Sequence, residues 1–334
     1  MRVLSNVLLG CLAVVGGAPA PVSAAVLIPV PAAPNSTSTT VFGISDGNVI
    51  AGSFIGANDG IEHSFFGSLD GNYSTFDVGT GGSEARAINN NGYIVGYSNS
   101  QGGFTSDEPA FERTPRGKIL NVTIDGQQLF GPVHGINNSE NKFVGTRWDQ
   151  ANHQAVAFSG RKGQWEHDVR IPAVHQASTA GGINSTDIVV GSFFEPPMHG
   201  YVVNGKTLSV IDYPSADNQG TSLEGINDKG KIVGQWIDSQ SNTHSFLLDV
   251  ATNTFTDIQV NGASTVQAWE INTAGAVAVS TDVGSFIWCA RKRQCPAGGT
   301  NITAPVRPAK AFPHSRCDQV CAVPIMQVRA GSRE

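Results

Sequence analysis

The chain is poor in charge: only 14% of its 334 residues are Asp, Glu, Lys or Arg. A coiled coil draws roughly half its positions from Ala, Glu, Lys, Leu and Arg, so that class is excluded. Long apolar runs are also missing. None reaches the roughly 18 residues of a membrane helix, and the one candidate lies at the N-terminus. Cysteines number five, and none has histidines spaced with it as in a zinc finger. Residues 25–288 lack a sustained 3.6-residue apolar period, the mark of an amphipathic helix. They also lack His-Glu-x-x-His, Gly-x-Ser-x-Gly, a phosphate loop and a twelve-residue calcium loop. No cofactor or metal is therefore expected. What the chain has is 40% hydrophobic residues, with 39 glycines and 17 prolines. That is too much apolar surface for a disordered polymer.

Residues 1–24 read as an export signal. Arg2 gives a positive start, Val3 to Val15 an apolar run, and Val22-Ser23-Ala24 a small-residue cleavage site. The expected location is secreted, periplasmic or extracellular. The alternative is a membrane-anchored lipoprotein in which Leu8-Leu9-Gly10-Cys11 is the signal and Cys11 carries the lipid. Once Cys11 is removed, Cys289, Cys295, Cys317 and Cys321 remain, and four cysteines allow three pairings. The local pairs are easiest to close, and an oxidising compartment favours disulfides over zinc.

Internal periodicity decides the fold class. Phe42-Gly43-Ile44-Ser45, Arg86-Ala87-Ile88-Asn89, His134-Gly135-Ile136-Asn137, Gly181-Gly182-Ile183-Asn184, Glu224-Gly225-Ile226-Asn227 and Trp269-Glu270-Ile271-Asn272 recur every 43–48 residues. Each is followed by a turn and a second apolar strand ending near Gly52, Gly96, Gly145, Gly191 and Gly234, with Val279 in the sixth. A third strand begins at Phe65, Phe111, Phe158, Tyr201, Phe246 and Phe286, and a fourth is visible in three repeats. Short strands separated by Asn-, Asp- and Gly-rich turns predict antiparallel hairpins. Four strands per roughly 45 residues is the size of a propeller blade. The sixth repeat stops near Trp288 without a fourth strand, and Val26–Val30 precedes the first. The expectation is an all-β, six-bladed β-propeller over residues 25–288 whose N-terminal strand completes the last blade. Closure would remove an exposed sheet edge. An open stack of β units is the alternative, since period alone does not separate ring from solenoid.

The pattern Gly-Ile-Asn, Ile-Val-Gly, then His-small-aromatic resembles the HAF family of probable extracellular repeat proteins. The third element appears as His63-Ser64-Phe65, His199-Gly200-Tyr201 and His244-Ser245-Phe246; Pro109, Val156 and Gly284 stand where the other repeats would have the histidine. The resemblance covers about residues 26–288. It implies an exported, propeller-like repeat protein and no particular reaction.

The repeated asparagines are expected to be structural, because Asn favours turns by bonding its own backbone. The histidines are expected to fix the start of strand three through a hydrogen bond. The candidate ligand site follows strand two. Asp149, Glu195 and Asp238 stand four residues after the repeat glycine, with Asp282 near the same place, and Trp148, Phe193 and Trp236 lie close by. Acids beside aromatics suit a sugar or a cation; exposed loops also carry acids for solubility alone. A glycosidase would need two carboxylates roughly 5–9 Å apart, a separation that sequence does not give.

Charge is split along the chain. Residues 289–334, a basic cysteine-containing tail, hold eight cations against two acids, a net +6. With the whole chain at −6 and Arg2 in the leader, residues 25–288 carry −13. An acidic body argues against nucleic-acid binding. The tail could cover a propeller mouth, reach an anionic cell-surface polymer, or stand in solvent. The expected function is a monomeric, non-enzymatic scaffold that binds a glycan or an extracellular protein. The alternatives are a polysaccharide hydrolase or lyase using the loop carboxylates, and a structural envelope component.

Overall fold

The repeat glycine and the aromatic of the third strand are one device. The computed structural model describes residues 25–98, 109–149, 151–169, 171, 177–215, 217–296 and 300–301. Within it, Gly52 pairs with Phe65, Gly96 with Phe111, Gly145 with Phe158, Gly191 with Tyr201 and Gly234 with Phe246. All five aromatics are fully buried. A Cβ on Gly191 would lie 2.0 Å from the Thr179 carbonyl and 2.7 Å from the Tyr201 hydroxyl, so no side chain fits. In the sixth repeat Val279 takes the glycine's place opposite Phe286, and that ring stays only half-buried.

Each repeat folds into an antiparallel sheet, with strands a to d running outward. In blade one these are Ser36–Ile44, Ile50–Gly56, Glu62–Gly67 and Tyr73–Phe76. The other inner strands are Ser83–Ile88, Val133–Ile136, Ser178–Ile183, Gly220–Ile226 and Val266–Ile271. Strand d of blades two and three is Ile119–Asn121 and Gln164–Asp168, neither visible in the sequence pattern. A short hairpin, Thr123–Ile124 with Gln127–Gln128, joins the sheet of blade three. It accounts for the long 48-residue step between the second and third isoleucines.

The N-terminal strand Val26–Pro29 closes blade six, pairing Val26 with Cys289 and Pro29 with Phe286. The molecule is thus a closed six-bladed propeller and not an open stack. Thr300–Asn301 adds a further strand outside Val26 and Leu27. Apolar clusters lie between neighbouring blades; one joins Val144 and Ala157 of blade three to Ala180, Phe193 and Tyr201 of blade four. Burying such side chains contributes roughly 1.5–3 kcal/mol each.

A ring of asparagines ties the blades together on the face of the a–b turns. Nδ2 of Asn89 donates to the carbonyl of Asn137, Asn137 to Asn184, Asn184 to Asn227, Asn227 to Asn272, and Asn272 to Ser45, at 2.9–3.5 Å. All five Oδ1 atoms accept amides of their own turns, as in Asn227 with Lys229 and Lys231. Repeat one carries Ser45, which has no amide to pass on. There Asp46 and Asn90 bridge blades one and two through two 2.7 Å hydrogen bonds.

Of the three disulfide pairings open in the sequence, the structure contains Cys289–Cys295. Cys317 and Cys321, Cys11, residues 1–24 that were expected to form an export signal, and the tail beyond Asn301 lie outside the described residues.

Candidate functional site

Two places collect chemistry-bearing side chains: the face of the b–c loops, which carries the acids and aromatics singled out in the sequence, and the central channel.

On the b–c face, most of the singled-out carboxylates are engaged by their own loops. Asp149 accepts the Ala151 amide at 3.1 Å and Asn152 Nδ2 at 2.7 Å. Asp238 accepts the Gln240 and Asn242 amides, Asn242 Nδ2 and His244 Nε2, all within 3.0 Å. Those bonds, led by His244 and Asn242, hold the Asp238 carboxyl far below the usual range. Asp282 is engaged by Ser264 of the preceding d–a loop. Glu195 stands exposed in the loop before Pro196 and Pro197.

The aromatics divide too. Trp236 is sandwiched between Tyr213 at 4.6 Å and His244 at 4.5 Å, so it packs inside the protein. Phe193 is buried, 5.4 Å from His199. Trp148 is 40% exposed. The three repeat histidines each face the aromatic opposite them on strand b, His63 with Phe54, His199 with Phe193 and His244 with Trp236. Each also bonds a carboxylate: His63 to Asp77 and Asp59, His199 to Asp212, His244 to Asp238. They clamp strand c to its neighbours. Among the described residues no group of His, Cys, Asp or Glu is arranged to hold a metal.

One residue escaped attention in the sequence. Phe194, three residues after its repeat glycine as Trp148 is after its own, is 52% exposed. It borders an open groove of about 670 Å³ with Pro196, Pro197, Met198, Gln219 and Ile237. The groove lies at the seam of blades four and five, where Met198 pairs with Gly220. The underlying turn is fixed by Asn218, which donates to the Tyr213 carbonyl and Thr221 and accepts the Gly220 amide.

The channel is built by bulges. Every inner strand slips register by one residue, between Val41 and Gly43, Ala85 and Ala87, Val133 and Gly135, Ala180 and Gly182, Leu223 and Gly225, and Ala268 and Ile271. A bulge re-aims the extra side chain. Here Phe42, Arg86, His134, Glu224 and Trp269 line the channel. The Arg86 guanidinium stacks on Phe42 at 4.2 Å and Trp269 at 4.5 Å and pairs with Glu84 at 3.2 Å. Burial holds His134 neutral, its pKa near 3, with Arg86 adding to the effect. Burial also pushes Glu224 upward.

Below this level the wall is backbone. A Cβ on Gly225 would meet the Trp269 carbonyl at 2.7 Å, and one on Gly135 the Gly181 carbonyl at 2.9 Å. Glu270 is the exception in the ring. Its carboxylate accepts the Ile44 amide of blade one at 2.9 Å, and the Ile88 amide of blade two also bonds it. Burial raises its pKa to about 8. The channel neck has room for little more than a water molecule. These residues stand two places, or for Glu270 one place, before the repeat isoleucine. The signal was there: in a segment otherwise nearly constant, that position runs Phe, Arg, His, Gly, Glu, Trp.

No family model matches the chain, and no curated protein matches it in sequence. Solved structures similar to it are propeller proteins. One is a prolyl endopeptidase at 11% identity and TM-score 0.47, covering 73% of this chain. The chain spans only 39% of that endopeptidase. AofleA of Arthrobotrys oligospora is similar at 10% identity and TM-score 0.46, over 82% of this chain and 89% of its own. Ycf48 of Cyanidioschyzon merolae follows at 11% and 0.44, over 80% and 98%. At such identities the likeness concerns the fold alone.

Proposed function

We propose that this chain is an exported, non-enzymatic binding scaffold of the HAF type that meets an extracellular glycan on its b–c face. One observation carries the reading: Trp148 and Phe194 occupy the same repeat position in adjacent blades and both are exposed, at 40% and 52%. Large aromatics left in solvent on one face offer a platform for the apolar face of a sugar ring, and the Glu195 carboxylate and Gln219 amide stand near Phe194 to bond hydroxyls. Catalysis is the weaker reading. Asp149 and Asp238 are already used to close their loops, and the half-buried acids of the channel share a neck too narrow for a substrate.

The test is a melting-temperature shift of the oxidised mature protein against a panel of neutral and acidic oligosaccharides. A ligand that binds only the folded state adds roughly 2.7 kcal/mol at a hundredfold excess over Kd. Trp148→Ala and Phe194→Ala should each remove the shift while leaving the unliganded melting point within about a degree or two, since exposed side chains contribute little to folding. A shift that survives both changes would refute this face as the site.

A further inference from the structure

The two faces of the disc differ in charge, and this bears on the side away from the proposed glycan site. In an antiparallel blade the a–b and c–d turns emerge on one face, and the b–c and d–a loops on the other. The c–d turns carry Arg116 and Lys118 in blade two, Lys162 in blade three and Lys206 in blade four. Lys229 lies in the a–b turn of blade five, and Arg291 to Arg293 follow strand c of blade six. All are exposed, and none forms an ion pair among the described residues. Several acids of that face already have partners: Asp187 has Lys142 at 3.2 Å, Glu140 has Arg161 at 2.9 Å and Asp249 has Lys231 at 2.6 Å. The opposite face gathers Asp59, Asp149, Glu195, Asp212, Asp217 and Asp238, while its Arg147 is engaged by Asp168.

We infer that the rim of unpaired cations on the a–b turn face docks an anionic polysaccharide, which leaves the acidic, aromatic face pointing outward. Charge complementarity selects the partner. The rim spans five of the six blades, so an extended polyanion can meet several cations at once. A lipid surface fits less well, because the one large apolar side chain exposed on this face among the described residues is Val250. The chain beyond Asn301 does not neutralise the rim either, since it holds Arg307, Lys310, Arg316, Arg329 and Arg333 against Asp318 and Glu334.

The probe is immobilised polygalacturonate, with the full mature chain in solution. If about four cations each neutralise a carboxylate, raising salt from about 50 to 200 mM should weaken binding roughly fiftyfold by counterion release. The triple change Lys162→Glu, Lys206→Glu and Lys229→Glu should cut affinity at least roughly tenfold at the lower salt, with an unchanged melting point. Asp212→Asn with Asp217→Asn, on the other face, should leave it intact. The proposal is overturned if the triple variant binds like the parent or if salt has no effect. It is equally overturned if vesicles of phosphatidylglycerol bind more tightly than the polyuronate, or if the chain stacks on itself at low salt. Loss of glycan shifts on the b–c face would leave this result untouched, so the two readings fail separately.

Discussion

Replacing Asn227 by alanine tests the asparagine ring directly. The side chain is 4% exposed and makes three hydrogen bonds: its Oδ1 accepts the Lys229 and Lys231 amides at 3.0 Å, and its Nδ2 donates to the Asn272 carbonyl at 2.9 Å. A hydrogen bond is worth about 1 kcal/mol net, and a buried group left alone costs about 1–3 kcal/mol. The two turn amides lie beside the exposed Lys229, where water can reach them, and count for about 1 kcal/mol each. The Asn272 carbonyl lies between blades and counts for about 2 kcal/mol. The sum is about 4 kcal/mol, or roughly 8–16 °C in melting point for a domain of this size. Asn227→Asp keeps both acceptors and loses only the donor, so its loss should be about half as large. Urea unfolding followed by tryptophan fluorescence reads both, with Trp236 in the same blade. A loss below about 1 kcal/mol for alanine, or a larger loss for aspartate than for alanine, would refute the ring as a load-sharing element.

Acidity should act through two half-buried glutamates. Burial, reinforced by neighbouring Glu84, raises Glu62 to about 7, and burial raises Glu270 to about 8, both from 4.5. Their contribution is therefore complete below pH 4.5 and lost as pH climbs through 7 and 8. His134, lowered to about 3 from 6.5, works the other way, and its contribution is lost only as pH falls below 6.5. The melting point should accordingly fall from pH 6.5 to 8.5, and Glu270→Gln should flatten that slope; a rise over this window would contradict the assignment. Gly191→Ala should cost at least about 2 kcal/mol, because the new methyl meets backbone that cannot move aside, and an unchanged urea midpoint would sink the packing argument. Reducing Cys289–Cys295 opens a short loop and should remove about 2 kcal/mol, read as a lower melting point in reductant; no change would mean the bridge constrains nothing.

The architecture was legible because its devices are local and repeated. A glycine opposite an aromatic, and an asparagine at a turn, need only a fixed offset within one repeat, and six copies make the offset visible. The N-terminal strand was legible for the same reason, since its absence from repeat six left a gap of one strand. The candidate site was legible only in part. Trp148 and Trp236 look alike in sequence, both just after a repeat glycine, yet Tyr213, from the loop that leads into blade five, and His244 cover one ring and leave the other in water.

What the sequence determined by itself is therefore the period, the order of the first three strands in each blade, the blade count and the chemical set of turn and core residues. Tertiary structure decided the rest. Ring closure brings Glu270 of the last repeat against the amides of Ile44 and Ile88 in the first two, a contact across more than 180 residues that no local pattern encodes. A one-residue bulge in each inner strand turned Arg86, His134 and Glu224 into the channel, where alternation alone does not place them. The alternation of turns between two faces sorted cations from acids, because charge along a chain becomes charge on a surface only when the strands fix which way each loop points.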